Sequence, residues 1–88
     1  MKITRNEVYA IVDSERDYQT DQQGNAKRHE GQSPMTPGEL ILCMEKCLND
    51  ARNIWYTPDG GVNCLEYVRK VTALGVQCME RFGAPYRV

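Results

Sequence analysis

The residues of this chain best suited to chemistry are cationic and aromatic: Arg16, Tyr18, Lys27, Arg28, His29, Arg69 and Lys70. An Arg fork meets a phosphate with two parallel hydrogen bonds, and a Tyr ring offers a nucleobase a stacking face. Lys27-Arg28-His29 is a small cationic cluster able to close over an anionic ligand. Arg69 and Lys70 are adjacent in a helical stretch, with Arg52 nearby across a turn. Between subunits of an oligomer, such an Arg and Tyr from each copy make a composite pocket for a nucleotide-sized anion. The plainer use of the same groups is surface pairing, for example Glu66 with Arg69 or Lys70.

Catalysis and metal binding find less support. His29 is the single histidine, and no Ser or Cys pattern surrounds it, so nucleophilic catalysis is not expected. Cys43 and Cys47, one helical turn apart, could face one ion, but a structural zinc site needs two more converging ligands. Cys78 falls level with Cys43, whereas Cys64 falls level with Trp55, roughly 12 Å or more from Cys47 along the axis. The four cysteines therefore read as small core residues. Among the acids, Asp13, Glu15, Asp17 and Asp21 cluster early, Glu39, Glu45 and Asp50 follow, and Glu66 and Glu80 come last. Magnesium-dependent pyrophosphate chemistry needs several carboxylates on facing helices. The all-α nucleotide pyrophosphohydrolases of the MazG type carry E-x-x-E and E-x-x-D for this purpose, and neither pattern occurs here. Glu39 and Glu66, moreover, are explained by helix capping. The expectation is no catalytic residue, no metal and no cofactor.

The elements that must position these residues are helices. Thr4 and Glu7 form a capping box ahead of Val8, Ile11 and Val12, which predicts a helix over 5–19. From Thr20 to Pro34 there is one alanine and no larger apolar residue, and the segment 20–35 reads as a mobile loop. Thr36-Pro37-Gly38-Glu39 joins a cap, a first-turn proline and a capping-box glutamate. Leu40, Met44, Cys47, Leu48, Ala51 and Trp55 then recur at steps of three and four, so the second helix spans 36–56. Thr57-Pro58-Asp59-Gly60-Gly61 is a turn. Asn63, with Glu66 three residues on, predicts the cap of a third helix over 63–82. Leu65, Val68, Thr72, Gly75, Val76 and Met79 line one of its faces, Gly83 is its left-handed cap and Pro85 follows. Gly75, unfavourable in mid-helix by ~1 kcal/mol, marks a place where another helix packs.

The 88 residues make one small domain, with net charge -1 and pI about 5.8. That balance argues against a nucleic-acid binder, which needs an excess of positive charge. There is no apolar run of the roughly 20 residues that crosses a bilayer, and the first residues lack the apolar stretch of a signal peptide. The chain reads as cytoplasmic, not membrane-bound, with reduced thiols. The fold class is all-α: an antiparallel helical hairpin with a short amino-terminal helix. Its apolar surface is too broad for one hairpin, which implies a homo-oligomeric helical bundle.

At Glu15-Arg16-Asp17-Tyr18-Gln19 and from Arg69-Lys70-Val71 through Cys78-Met79-Glu80-Arg81-Phe82-Gly83-Ala84-Pro85-Tyr86-Arg87, the chain resembles a group of small bacteriophage and prophage proteins. These carry E-R-D-Y-Q near the amino terminus and end in R-K-x-x-x-L-x-V-x-C-M-E-x-x-G-A-P-x-R. A weaker likeness, E-R-x-x-Q followed by Gly38-Glu39-Leu40, points to phage proteins linked to the MazG group. The resemblance implies a viral origin and a place in the host cytoplasm. Small phage proteins of this kind often counter host defences by sequestering a nucleotide-derived signal or by binding a host protein. The expectation is a non-catalytic counter-defence protein that holds a cyclic-oligonucleotide or ADP-ribose type of signal. Two alternatives stand beside it. One is a degenerate MazG-like pyrophosphohydrolase using Glu39, Glu45, Asp50 and Asp17. The other is an inhibitor that binds a host defence protein through the helix face around Trp55 and Tyr56.

Overall fold

A computed structural model describes residues 2–20 and 35–87. Lys27, Arg28, His29 and nearly all of the expected loop lie outside these residues. The described residues form three helices and no strand: α1 (Arg5–Gln19), α2 (Pro37–Trp55) and α3 (Gly60–Phe82). α3 is the organising element, because both α1 and α2 pack on it while α1 does not reach α2. No helix among the described residues is long and apolar enough to cross a membrane.

Both amino-terminal caps form as their sequences dictate. The Glu7 N–H donates to Thr4 Oγ1 at 3.2 Å, and the Thr4 N–H returns to Glu7 Oε1 at 3.3 Å. Thr36 and Glu39 repeat the exchange at 3.2 and 3.1 Å. Each box satisfies donors that a helix end otherwise leaves open.

The start of α3 corrects the expectation at Asn63. The helix begins at Gly60, one turn earlier, and its cap position is Asp59, which makes no side-chain capping bond. Tertiary geometry decides this. The Gly60 N–H donates to the Thr57 carbonyl at 3.0 Å, while Asp59 sits at φ 63, ψ 14. Those are the dihedrals of the third residue of a type II turn, with Pro58 favourably placed second. The turn spans four residues and leaves Gly60 pressed against the end of α2. A Cβ there would run into the carbonyl groups of Ile54 and Trp55. Gly83 ends α3 with its N–H on Met79 O at 2.8 Å. Its φ of 109 is positive as expected, but its ψ of 154 lies outside the left-handed helical well, in a region that only glycine enters readily.

The core is small. Leu40, Ala73 and Leu74 are its buried apolar residues, and Glu15, Gln19 and Gln77 are buried beside them. The apolar face of α3 is covered only in part within the chain. Gly75 and Val76 are half-buried, whereas Leu65, Val68, Thr72 and Met79 are exposed. On α2 the expected stripe splits likewise: Leu40 is buried, Met44, Cys47 and Ala51 are half-buried, and Leu48 and Trp55 face solvent.

Candidate ligand groove between α1 and α3

The E-R-D-Y-Q stretch lies in the last turns of α1, and three of its five side chains reach α3. Glu15, 7 % exposed, accepts from Arg69 Nε at 2.6 Å. Arg16 donates through Nε to Glu80 Oε2 at 2.5 Å and through Nη1 to Thr20 Oγ1. Gln19 donates through Nε2 to the Lys70 carbonyl at 3.1 Å. The motif is therefore a polar fastening between two helices, joining residues 51 to 64 positions apart in the chain. Such a fastening is needed because α1 offers little else. Val8 and Ile11, which would seat an apolar helix, remain 41 % and 45 % exposed. The Oε1 atoms of Gln19 and Gln77 are buried with no hydrogen-bond partner, a cost of about 1–3 kcal/mol each.

Between α1 and α3 lies an open groove of about 460 Å³ lined by Ala10, Ile11, Ser14, Glu15, Tyr18 and Arg69. That volume is within the range of small-molecule sites, roughly 300–1,000 Å³. Tyr18 is 59 % exposed and has no hydrogen-bond partner among the described residues. Arg69 spends only its Nε on Glu15. None of the hydrogen bonds among the described residues uses its two Nη nitrogens, which carry four of the five guanidinium donors. Glu15 thus holds the guanidinium by its Nε, and both side chains line the groove.

The candidate site residues fall into separate places. Tyr18 and Arg69 share the groove. Arg16 is turned to Glu80 and Thr20. Lys70 leaves α3 in another direction, with its ammonium 5.0 Å from the centre of the Tyr67 ring and its charge felt at Cys47 on α2. Adjacent positions on a helix diverge by about 100°, which is why Arg69-Lys70 does not act as one patch. Arg52 donates to Asn49 Oδ1 at 2.7 Å, on α2. Four groove residues, Ala10, Ile11, Ser14 and Glu15, are not among the ligand contacts expected from the sequence, and Ala10 and Ser14 carry no chemistry that would mark them. Their small size at one helical turn apart on the Tyr18 side was the signal available.

The four cysteines are free and half-buried. Burial pushes the Cys47 thiol above its ordinary value, the nearby Asp50 carboxylate adds to this, and Lys70 opposes it. A thiol kept neutral is a poor nucleophile. Lys46 donates to Asp50 at 2.9 Å, and that bond raises its own pKa. Among the described residues no three His, Cys, Asp or Glu side chains come together in a way that would hold a metal ion. That includes Asp17, Glu39, Glu45 and Asp50.

No protein-family model matches the sequence, and no curated protein and no solved structure matches it either.

Proposed function

We propose that this is a non-catalytic binding protein of phage origin. In this reading it works in the host cytoplasm as a homo-oligomer built on the α2–α3 hairpin. It holds a nucleotide-derived immune signal of the cyclic-oligonucleotide or ADP-ribose type in the groove between α1 and α3. The observation that carries it is the pairing, on one open groove, of an exposed Tyr ring with an Arg whose Nη nitrogens take part in none of the hydrogen bonds among the described residues. The ring supplies a stacking surface for a base and the guanidinium edge supplies donors for phosphate. The phage origin and the immune context rest on the resemblance at Glu15–Gln19 and Arg69–Arg87 alone. Lys27, Arg28 and His29, outside the described residues, belong to the reading as further cationic contacts for the ligand.

A second reading, direct inhibition of a host defence protein, is favoured by Trp55 and Tyr56. These neighbours at the end of α2 are 60 % and 79 % exposed, and aromatic anchors dominate protein interfaces.

Native mass spectrometry of the chain, incubated with nucleoside triphosphates, cyclic oligonucleotides and ADP-ribose derivatives in the presence of Mg²⁺, separates these readings. The expected result is an oligomer carrying an intact nucleotide, with Tyr18→Ala weakening retention about tenfold or more, the worth of one base–aromatic stack. Retention unchanged in Tyr18→Ala overturns the groove. An empty oligomer throughout transfers support to the protein-binding reading. Pyrophosphate in the filtrate restores the enzyme.

A further inference from the structure

The outward face of α2 carries a pattern that the groove does not use. Ile41, Leu48 and Trp55 recur at intervals of seven and are 50 %, 54 % and 60 % exposed. Seven residues are nearly two helical turns, so the three form one apolar line about 21 Å long. Glu45 and Arg52 recur at the same interval beside that line, and with Leu48 and Asn49 they border an open groove of about 360 Å³. Neither charge has an ionic partner among the described residues. Arg52 donates only to Asn49, whereas the neighbouring Lys46 and Asp50 satisfy each other within the helix.

We infer that this face binds a second copy of the same chain, with the two α2 helices antiparallel about a two-fold axis at Leu48. The arrangement follows from the spacing. Leu48 meets Leu48 on the axis, and Ile41 of each copy lies opposite Trp55 of the other. On the shared flank Glu45 of each copy lies within one residue step of the level of Arg52 of the other, close enough for these long side chains to pair, so the two charges are matched twice. The parallel alternative would put the Glu45 and Arg52 edges of the two copies on opposite flanks of the seam, so that neither charge meets its opposite. A face that complements itself about a two-fold axis is an isologous interface, which closes at two copies. The inference rests on the self-association in the function proposed above and gives it a surface and a register. It also assigns Trp55 to the second copy and leaves Tyr56 as the aromatic free for another partner.

Sedimentation velocity on the full chain over a wide concentration range tests this, with Leu48→Glu, Glu45→Arg and the double swap Glu45→Arg/Arg52→Glu. All three positions are exposed, so each variant keeps its helices, which circular dichroism verifies. The expected result is a dimer whose dissociation constant rises about a hundredfold in Leu48→Glu, as for a central hot spot. Glu45→Arg raises it about tenfold, and the double swap returns it to within about threefold of the parent. A monomer at every concentration overturns both this face and the self-association reading. Assembly undiminished in Leu48→Glu overturns this face and leaves self-association standing on another, such as that of Val62, Leu65 and Val68. A double swap that fails to restore assembly overturns the antiparallel register.

Discussion

Arg69 serves two ends of one side chain. Its Nε neutralises Glu15, a carboxylate 7 % exposed, and its Nη edge is the donor set of the proposed ligand site. Removing the side chain therefore does two things at once. A buried carboxylate stripped of its partner costs roughly 3–5 kcal/mol, and because the Arg69 side chain is itself 36 % exposed, about 2–3 kcal/mol is expected. Arg69→Ala should lower the free energy of urea unfolding by that amount. Tyr18→Ala, at an exposed side chain with no bond, should stay within about 0.5 kcal/mol. In Arg69→Ala combined with Glu15→Gln much of the loss should return, because the orphaned charge is gone. If Arg69→Ala is as harmless as Tyr18→Ala, the fastening contributes nothing and the pair is a surface contact. Loss of ligand in Arg69→Ala is ambiguous between site and scaffold, whereas loss in Tyr18→Ala is not.

At the scale of the element, two glycines of α3 should respond in opposite directions. Gly60 has no space for a Cβ, because the last carbonyls of α2 occupy it. Gly60→Ala must push the α2–α3 turn apart, at about 2–3 kcal/mol. At Gly75 a Cβ would lie 3.9 Å from Met44 Sδ, an ordinary van der Waals contact. Gly75→Ala should therefore gain most of the ~1 kcal/mol that glycine forfeits in a helix. In thermal melts this is a rise of about 4 °C or more for Gly75→Ala and a fall of about 10 °C for Gly60→Ala. Equal and small shifts would mean that the turn is looser than its geometry. The same two positions mark what the sequence could and could not convey. The boxes at Thr4 and Thr36 are complete within four residues, and helix starts read from them are correct. Gly75 as a contact with another helix was also legible, from the cost of glycine in mid-helix. The start of α3 was not, because Gly60 is required by carbonyls of another helix and the pattern at Asn63 imitates a local cap. In the groove, Tyr18 and Arg69 stand out by residue type. That Glu15, Arg16 and Gln19 would be consumed in docking α1 was hidden, since polar residues in a helix ordinarily face water and only α3 reveals that these do not.

At the scale of the whole molecule, burial is out of proportion to the apolar residues available. Leu40, Ala73 and Leu74 form the buried apolar core, while Ile41, Leu48, Trp55, Leu65, Met79 and Phe82 are among the large apolar side chains facing water. Small domains are marginal even when well filled, and among the described residues α1 is fastened to α3 by two ion pairs and one side-chain amide hydrogen bond. The proposed self-association would cover part of that apolar surface, and association makes stability depend on concentration. The unfolding midpoint of the full chain should rise with protein concentration, because mass action favours the folded dimer over two unfolded chains. Leu48→Glu should flatten that dependence and lower the midpoint at high concentration to the value of a dilute sample. Salt offers an independent check: Glu45 and Arg52 attract across the two-fold axis, so screening should weaken the dimer modestly, while the apolar line of Ile41, Leu48 and Trp55 preserves most of it. A midpoint indifferent to concentration would mean that three buried apolar residues and a polar fastening suffice to hold the single chain. The exposed faces of α2 and α3 would then be free for a partner of another kind, with Trp55 and Tyr56 the first residues to probe.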